Sequence, residues 1–102
     1  MNNSFGISDK SYNLLVEFLK TYLQTEEVLI FGSRAKGNYK TGSDIDLAIK
    51  GKDCSDKLAL DISAYIDDEL PTPYMVDIIN YSSIDNPELK KNIDFTAKSF
   101  YS

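Results

Sequence analysis

Hydrophobic positions recur at two different spacings along the chain, and the switch between them marks out the elements. Ser8 suits a helix N-cap, and Tyr12, Leu15, Val16, Leu19, Tyr22 and Leu23 then fall on one stripe, predicting a first helix over residues 9–24. Leu14 and Phe18 lie on its flank one turn apart, where they either widen the buried face or form a patch for a partner protein. Val28 to Phe31 is a short, unbroken apolar run stopped by Gly32, the mark of a buried strand. Ser33 to Gly37 predicts a short helical turn, residues 38–43 a loop, and residues 44–49 a second strand. Gly51, Lys52 and Asp53 turn the chain into a helix over 55–69, with Leu58, Ile62, Tyr65 and Ile66 facing inward. Pro71 and Pro73 end that helix, because neither can donate a helical hydrogen bond. Residues 74–80 read as a third strand. A last helix from Pro87 carries Leu89 and Ile93, ahead of Phe100 and Tyr101, which can pair with the body or dock on it.

Helices alternating with three short strands predict an α/β (α+β) architecture, with helices packed on a small sheet. The patterns leave the strand directions open. A length of 102 residues suits a single domain spanning 1–102 with one modest core.

Composition narrows the function. Hydrophobic residues at 42% and charged residues at 26% fit an ordinary folded protein. No apolar run approaches the roughly 20 residues that cross a bilayer, and no basic-then-apolar leader opens the chain, so a cytoplasmic location without a membrane partner is expected. The single cysteine, Cys54, agrees with a reducing compartment and reads as a small residue near a helix start. The chain has no histidine, which excludes Ser-His-Asp and Cys-His triads and makes a zinc site implausible. Carboxylates, and with them a hard metal such as magnesium, are left to do any catalysis. The net charge of −5 and the scattered basic residues disfavour a nucleic-acid substrate, which needs a basic stripe. A local group of Arg34, Lys36 and Lys40 could still meet a triphosphate.

The chemistry concentrates between residues 31 and 77. Asp44 and Asp46 stand two apart in the second predicted strand, so both point to one face, with Cα atoms roughly 6.6 Å apart. Ile45, Leu47 and Ile49 point the other way, into the core. Asp77 interrupts the apolar run from Met75 to Ile79, where a charge is costly unless paired or metal-bound. If the third strand lies beside the second, Asp77 joins the other two. Three carboxylates within about 4 Å would repel by roughly 4 kcal/mol per pair at an effective dielectric near 20. A Mg²⁺ ion offsets this most simply, since it takes oxygen ligands and brings phosphates with it. Gly32 lets the backbone approach a phosphate closely, and the Ser33 hydroxyl can donate to a terminal phosphate oxygen. Arg34 and Lys36 either add charge there or are solvated surface residues.

The segments Gly-Ser-Arg-Ala-Lys-Gly (32–37), Ser-Asp-Ile-Asp-Leu-Ala (43–48) and Val-Asp-Ile-Ile (76–79) closely resemble the DNA polymerase β-like nucleotidyltransferase superfamily. Within it they look like the minimal nucleotidyltransferase (MNT) group, over almost the whole chain. The tail from Leu89 to Ile93 is similar to the group's ending, although the glycine that often follows the last helix is not evident at Thr96-Ala97. The resemblance implies the superfamily's small mixed sheet packed with helices. It implies that Asp44 and Asp46 bind two Mg²⁺ ions, and that Asp77 holds the catalytic ion and helps deprotonate the incoming hydroxyl. It gives Gly32 and Ser33 the β/γ-phosphates of ATP or another nucleoside triphosphate. MNT proteins are often paired with a helical HEPN-type partner, frequently an RNase toxin. The leading expectation is therefore an antitoxin that transfers a nucleotide monophosphate, AMP from ATP, to a hydroxyl on that partner. Two alternatives stand beside it: a catalytically silent module that neutralises the partner by binding, and a transferase for a small hydroxylated molecule such as an aminoglycoside antibiotic.

Overall fold

The computed structural model describes residues 5–22, 27–40 and 42–101. Along the chain run α1 (Asp9–Tyr22), β1 (Glu27–Phe31), α2 (Ser33–Lys36), β2 (Ile45–Lys50) and α3 (Asp56–Glu69). They are followed by β3 (Val76–Asn80), a 3₁₀ turn (Tyr81–Ser83), α4 (Pro87–Thr96) and β4 (Lys98–Ser99). Residues 23 and 24, expected to end the first helix, lie outside the described residues.

Side-chain caps start the helices where the sequence predicts. The Ser11 N–H donates to Ser8 Oγ (3.3 Å), and the Leu58 N–H donates to Ser55 Oγ (3.0 Å). Asn86 Oδ1 accepts from the N–H groups of both Glu88 and Leu89, with Pro87 filling a first-turn position that needs no donor. α1 buries Leu15 and Leu19, α3 buries Ala59, Ile62 and Ile66, and α4 buries Ile93. Tyr65 departs from expectation: it is 43% exposed and stacks its ring on Phe18 at 4.8 Å. The inward stripe of α3 centres on 59, 62 and 66, so positions 58 and 65 sit one residue, about 100°, off its axis. Phe18 in turn packs against the core from the flank of α1.

The strands form one mixed sheet in the order β3-β2-β1-β4. β1 runs antiparallel to β2 and β4, and β2 runs parallel to β3. β4 is an addition to the three strands read from the sequence; its Lys98 and Ser99 are both exposed, so no apolar pattern announces it. It brings Phe100 to 1% exposure, where the Phe100 N–H donates to the Val28 carbonyl (2.9 Å) and Tyr12 Oη–H donates to the Phe100 carbonyl (2.5 Å). Ile45, Leu47 and Ile49 of β2 are all buried in the main core with Leu15, Ile30 and Ile62. Each such side chain stabilises the fold by roughly 1.5–3 kcal/mol relative to exposure. Ala48 is fully buried as well, on the Asp46 side of the strand, and is not part of that main cluster. No helix among the described residues is long and apolar enough to cross a membrane.

Candidate active site

Two strand pairings build the site around Asp46. Phe31, the last residue of β1, pairs with Asp46, so the chain leaves β1 at Gly32 directly beside that carboxylate. On its other side Asp46 pairs with Asp77 in parallel register, with strands roughly 4.8 Å apart. The juxtaposition that the sequence left conditional is thus met: β3 does lie next to β2, and Asp77 faces the same neighbourhood. Asp44 falls one residue before β2 instead of inside it. The Ile45 N–H bonds the Met75 carbonyl at 2.9 Å, so Asp44 sits on the approach to the paired strands.

Gly32 adopts φ 77°, ψ −154°, a region open essentially only to glycine. A Cβ built there would stand 2.7 Å from Asp46 Oδ2. The missing side chain is therefore occupied by the carboxylate, which lies over the backbone of the turn. Ser33 opens α2, and Gly37, at φ 86°, closes it with its N–H on the Ser33 carbonyl (3.0 Å).

Electrostatics single out the same residue. Burial first, then Asp77, then Asp44, push the Asp46 carboxyl above its ordinary pKa. Asp44 and Asp77 are exposed, Asp46 is half-buried, and no hydrogen bond or ion pair from the described residues reaches any of the three. The donors are all carboxylate oxygens, with the Ser33 hydroxyl nearby, a set that suits a hard divalent cation. Their present orientation does not close a cage: among the described residues no three acidic, histidine or cysteine side chains are gathered to hold a metal ion. The residue types fit a hard cation, and Asp44 and Asp77 are both exposed beside Asp46.

Arg34 and Lys36 part company. Lys36 is exposed at the end of α2. Arg34 is 2% exposed, with its guanidinium donating to the carbonyls of Ser43, Phe5 and Gly6. It is neither a solvated surface residue nor a free charge facing a phosphate. Tyr39 and Tyr74, whose rings flank that guanidinium at 5.2 and 5.0 Å, were not among the predicted site residues. No spacing in the sequence links positions 34, 39 and 74, and the carbonyls involved could come from any residue. A cavity of about 420 Å³ lies elsewhere, between α3, β3 and the start of α4, and none of the predicted site residues lines it.

Comparison with known proteins bears on the fold and the family. No curated protein matches the sequence significantly. Among solved structures, the chain resembles a toxin–antitoxin complex determined with AMP-PNP, at 22% identity over 89% of this chain and 73% of that one, TM-score 0.63. It also resembles two variants of the MntA–HpeT toxin–antitoxin pair. A double Asp-to-Glu variant matches at 17% identity over 89% of this chain and 73% of that one, TM-score 0.69. A Tyr-to-Ala variant matches at 18% identity over 88% and 71%, TM-score 0.68. At these identities the likeness is one of fold. Residues 13–102, which hold the Gly-Ser turn and all three aspartates, match the polymerase beta nucleotidyltransferase family, and the chain belongs to that family of nucleotidyltransferases.

Proposed function

We propose that the protein is the antitoxin of a HEPN/MNT-type pair, transferring AMP from ATP to a hydroxyl on its helical partner with the help of Mg²⁺. The observation that carries this reading is the position of Asp46 between the Gly32 turn and Asp77. A side-chain-free turn beside neighbouring carboxylates supports the reading, since in-line transfer at a phosphorus centre needs close backbone approach to phosphate and oxygen ligands for a metal. The likeness to toxin–antitoxin structures, one of them holding AMP-PNP, supports a nucleotide substrate and a protein partner. A cytoplasmic setting, where ATP and Mg²⁺ abound, fits the same reading.

In this mechanism Gly32 and Ser33 seat the terminal phosphates, the backbone of the turn approaching them where a side chain would intrude. Asp44, Asp46 and Asp77 would hold two Mg²⁺ ions, which when bound neutralise charge on the attacking and leaving oxygens. Asp77, exposed beside Asp46, accepts the proton of the partner's hydroxyl. Lys36 is placed to add charge at the turn.

One observation favours a second reading. The carboxylates are not gathered to hold a metal as they stand, which suits a silent module that neutralises its partner by binding. Intact-mass analysis of the partner after incubation with this protein, ATP and Mg²⁺ separates the two. Transfer adds the mass of one or more AMP units, and the gain disappears with Asp44→Asn plus Asp46→Asn. A stable complex that never gains mass would establish the binding module instead.

A further inference from the structure

Arg34 is a buried charge without a carboxylate partner among the described residues, an arrangement that costs free energy unless every donor is well used. Its donors are used in a particular way. Nε and Nη2 both donate to the Ser43 carbonyl, at 3.1 and 2.7 Å, while Nη1 donates to the carbonyls of Phe5 (2.9 Å) and Gly6 (3.2 Å). The rings of Tyr39 and Tyr74 also lie within cation–π distance of the guanidinium, at 5.2 and 5.0 Å. Ser43 immediately precedes Asp44, and Arg34 immediately follows Ser33. One rigid fork therefore connects the turn that carries Ser33 to the peptide that carries Asp44, across a loop whose described residues, 37–40 and 42, are exposed. Lysine could not do this, because a single ammonium has no planar pair of donors to grip one carbonyl while reaching two others.

We propose that Arg34 is a positioning residue of the transfer site, fixing Asp44 against the Gly32-Ser33 turn through the Ser43 carbonyl without touching the phosphates. This rests on the reading of Asp44 as a metal ligand. Groups that orient metal ligands typically change metal affinity by about 10- to 100-fold when removed. The test uses the full chain and Mn²⁺ as the probe, its binding followed by the loss of the free-ion paramagnetic signal, with melting curves to measure the folded fraction. Arg34→Lys and Arg34→Gln are both expected to weaken Mn²⁺ binding by about tenfold or more per folded molecule. A purely structural arginine would lower the melting temperature and leave the folded fraction's Mn²⁺ affinity unchanged, and that result overturns the proposal. So does full rescue by Arg34→Lys, which would mean that only the charge matters. If both variants fail to fold, Tyr39→Ala carries the test, since it loosens the same guanidinium from the exposed side. A several-fold loss of Mn²⁺ affinity with a normal far-UV spectrum supports positioning, and an unchanged affinity refutes it. A wild-type chain that binds no Mn²⁺ would defeat the metal-ligand reading itself, and the role of Arg34 with it.

Discussion

Asp46 sits where burial and two like charges act together, and its stability signature follows from that. In the unfolded chain its carboxyl ionises near the ordinary value of about 3.9, whereas in the fold it keeps its proton to higher pH. The stabilising contribution is thus fully present below the unfolded value and is lost as pH rises through the folded one. In metal-free buffer, Asp46→Asn is expected to melt above the wild type at pH 7, the two converging below about pH 3.9. Identical melting at pH 7 would mean that neither burial nor the neighbouring Asp77 and Asp44 disfavours the Asp46 charge. Gly32 gives a complementary expectation. Forcing a side chain into its backbone conformation costs about 1–3 kcal/mol, and the new Cβ would also push Asp46 Oδ2 aside. Gly32→Ala should therefore lose transfer activity beyond what its lowered melting temperature explains. Both residues stand out in the sequence because glycine before serine and alternate aspartates carry their chemistry in their side chains, or in lacking one. The place of Arg34 was not readable, because its partners are main-chain carbonyls that leave no trace in residue identity.

At the scale of elements, the sequence patterns located the helices and the three main strands because each buries a stripe or run of apolar residues. They failed where burial gives no signal. Alternation continues through Asp44 and so predicts a strand from that residue, yet β2 begins at Ile45. Tyr74 was assigned to β3, but its ring is drawn to Arg34 and the strand starts at Val76. β4 escaped because two exposed polar residues pair with Leu29 and Ile30 through backbone alone. What makes so short a strand stable is the residue after it. Phe100 stacks with Phe5, meets Tyr12 edge-on, donates its N–H to the Val28 carbonyl and accepts at its carbonyl from the Tyr12 hydroxyl. Phe100→Ala is expected to destabilise the fold by about 3–5 kcal/mol, read from the denaturant midpoint. A loss below about 1 kcal/mol would show that the tail only rests on the sheet, since that is less than one buried aromatic contributes.

For the whole molecule, charge and shape together decide how a nucleotide could bind. The chain carries a net charge of −5, and none of Asp44, Asp46 and Asp77 lines the cavity found elsewhere. A polyanionic triphosphate approaching Asp44, Asp46 and Asp77 meets repulsion at long range and three carboxylates at short range, with Lys36 and Lys40 exposed in the same stretch of chain. On the proposed reading, attraction would come from a divalent cation held by the carboxylates. The sign of the net charge was plain in the sequence, but that Asp46 and Asp77 are neighbours depended on β2 and β3 being parallel and adjacent, which no local pattern encodes. The expectation is specific: ATP with EDTA should leave the melting temperature unchanged, while ATP with Mg²⁺ should raise it. At a ligand concentration of about 100 times Kd the stabilisation would be about 2.7 kcal/mol. Asp44→Asn combined with Asp46→Asn should abolish the shift although it relieves like-charge repulsion, because it removes the groups that hold the cation. If ATP stabilised the wild type equally well in EDTA, the Gly32-Ser33 turn and its lysines would be binding phosphate unaided, and the carboxylates would have no part in seating the nucleotide.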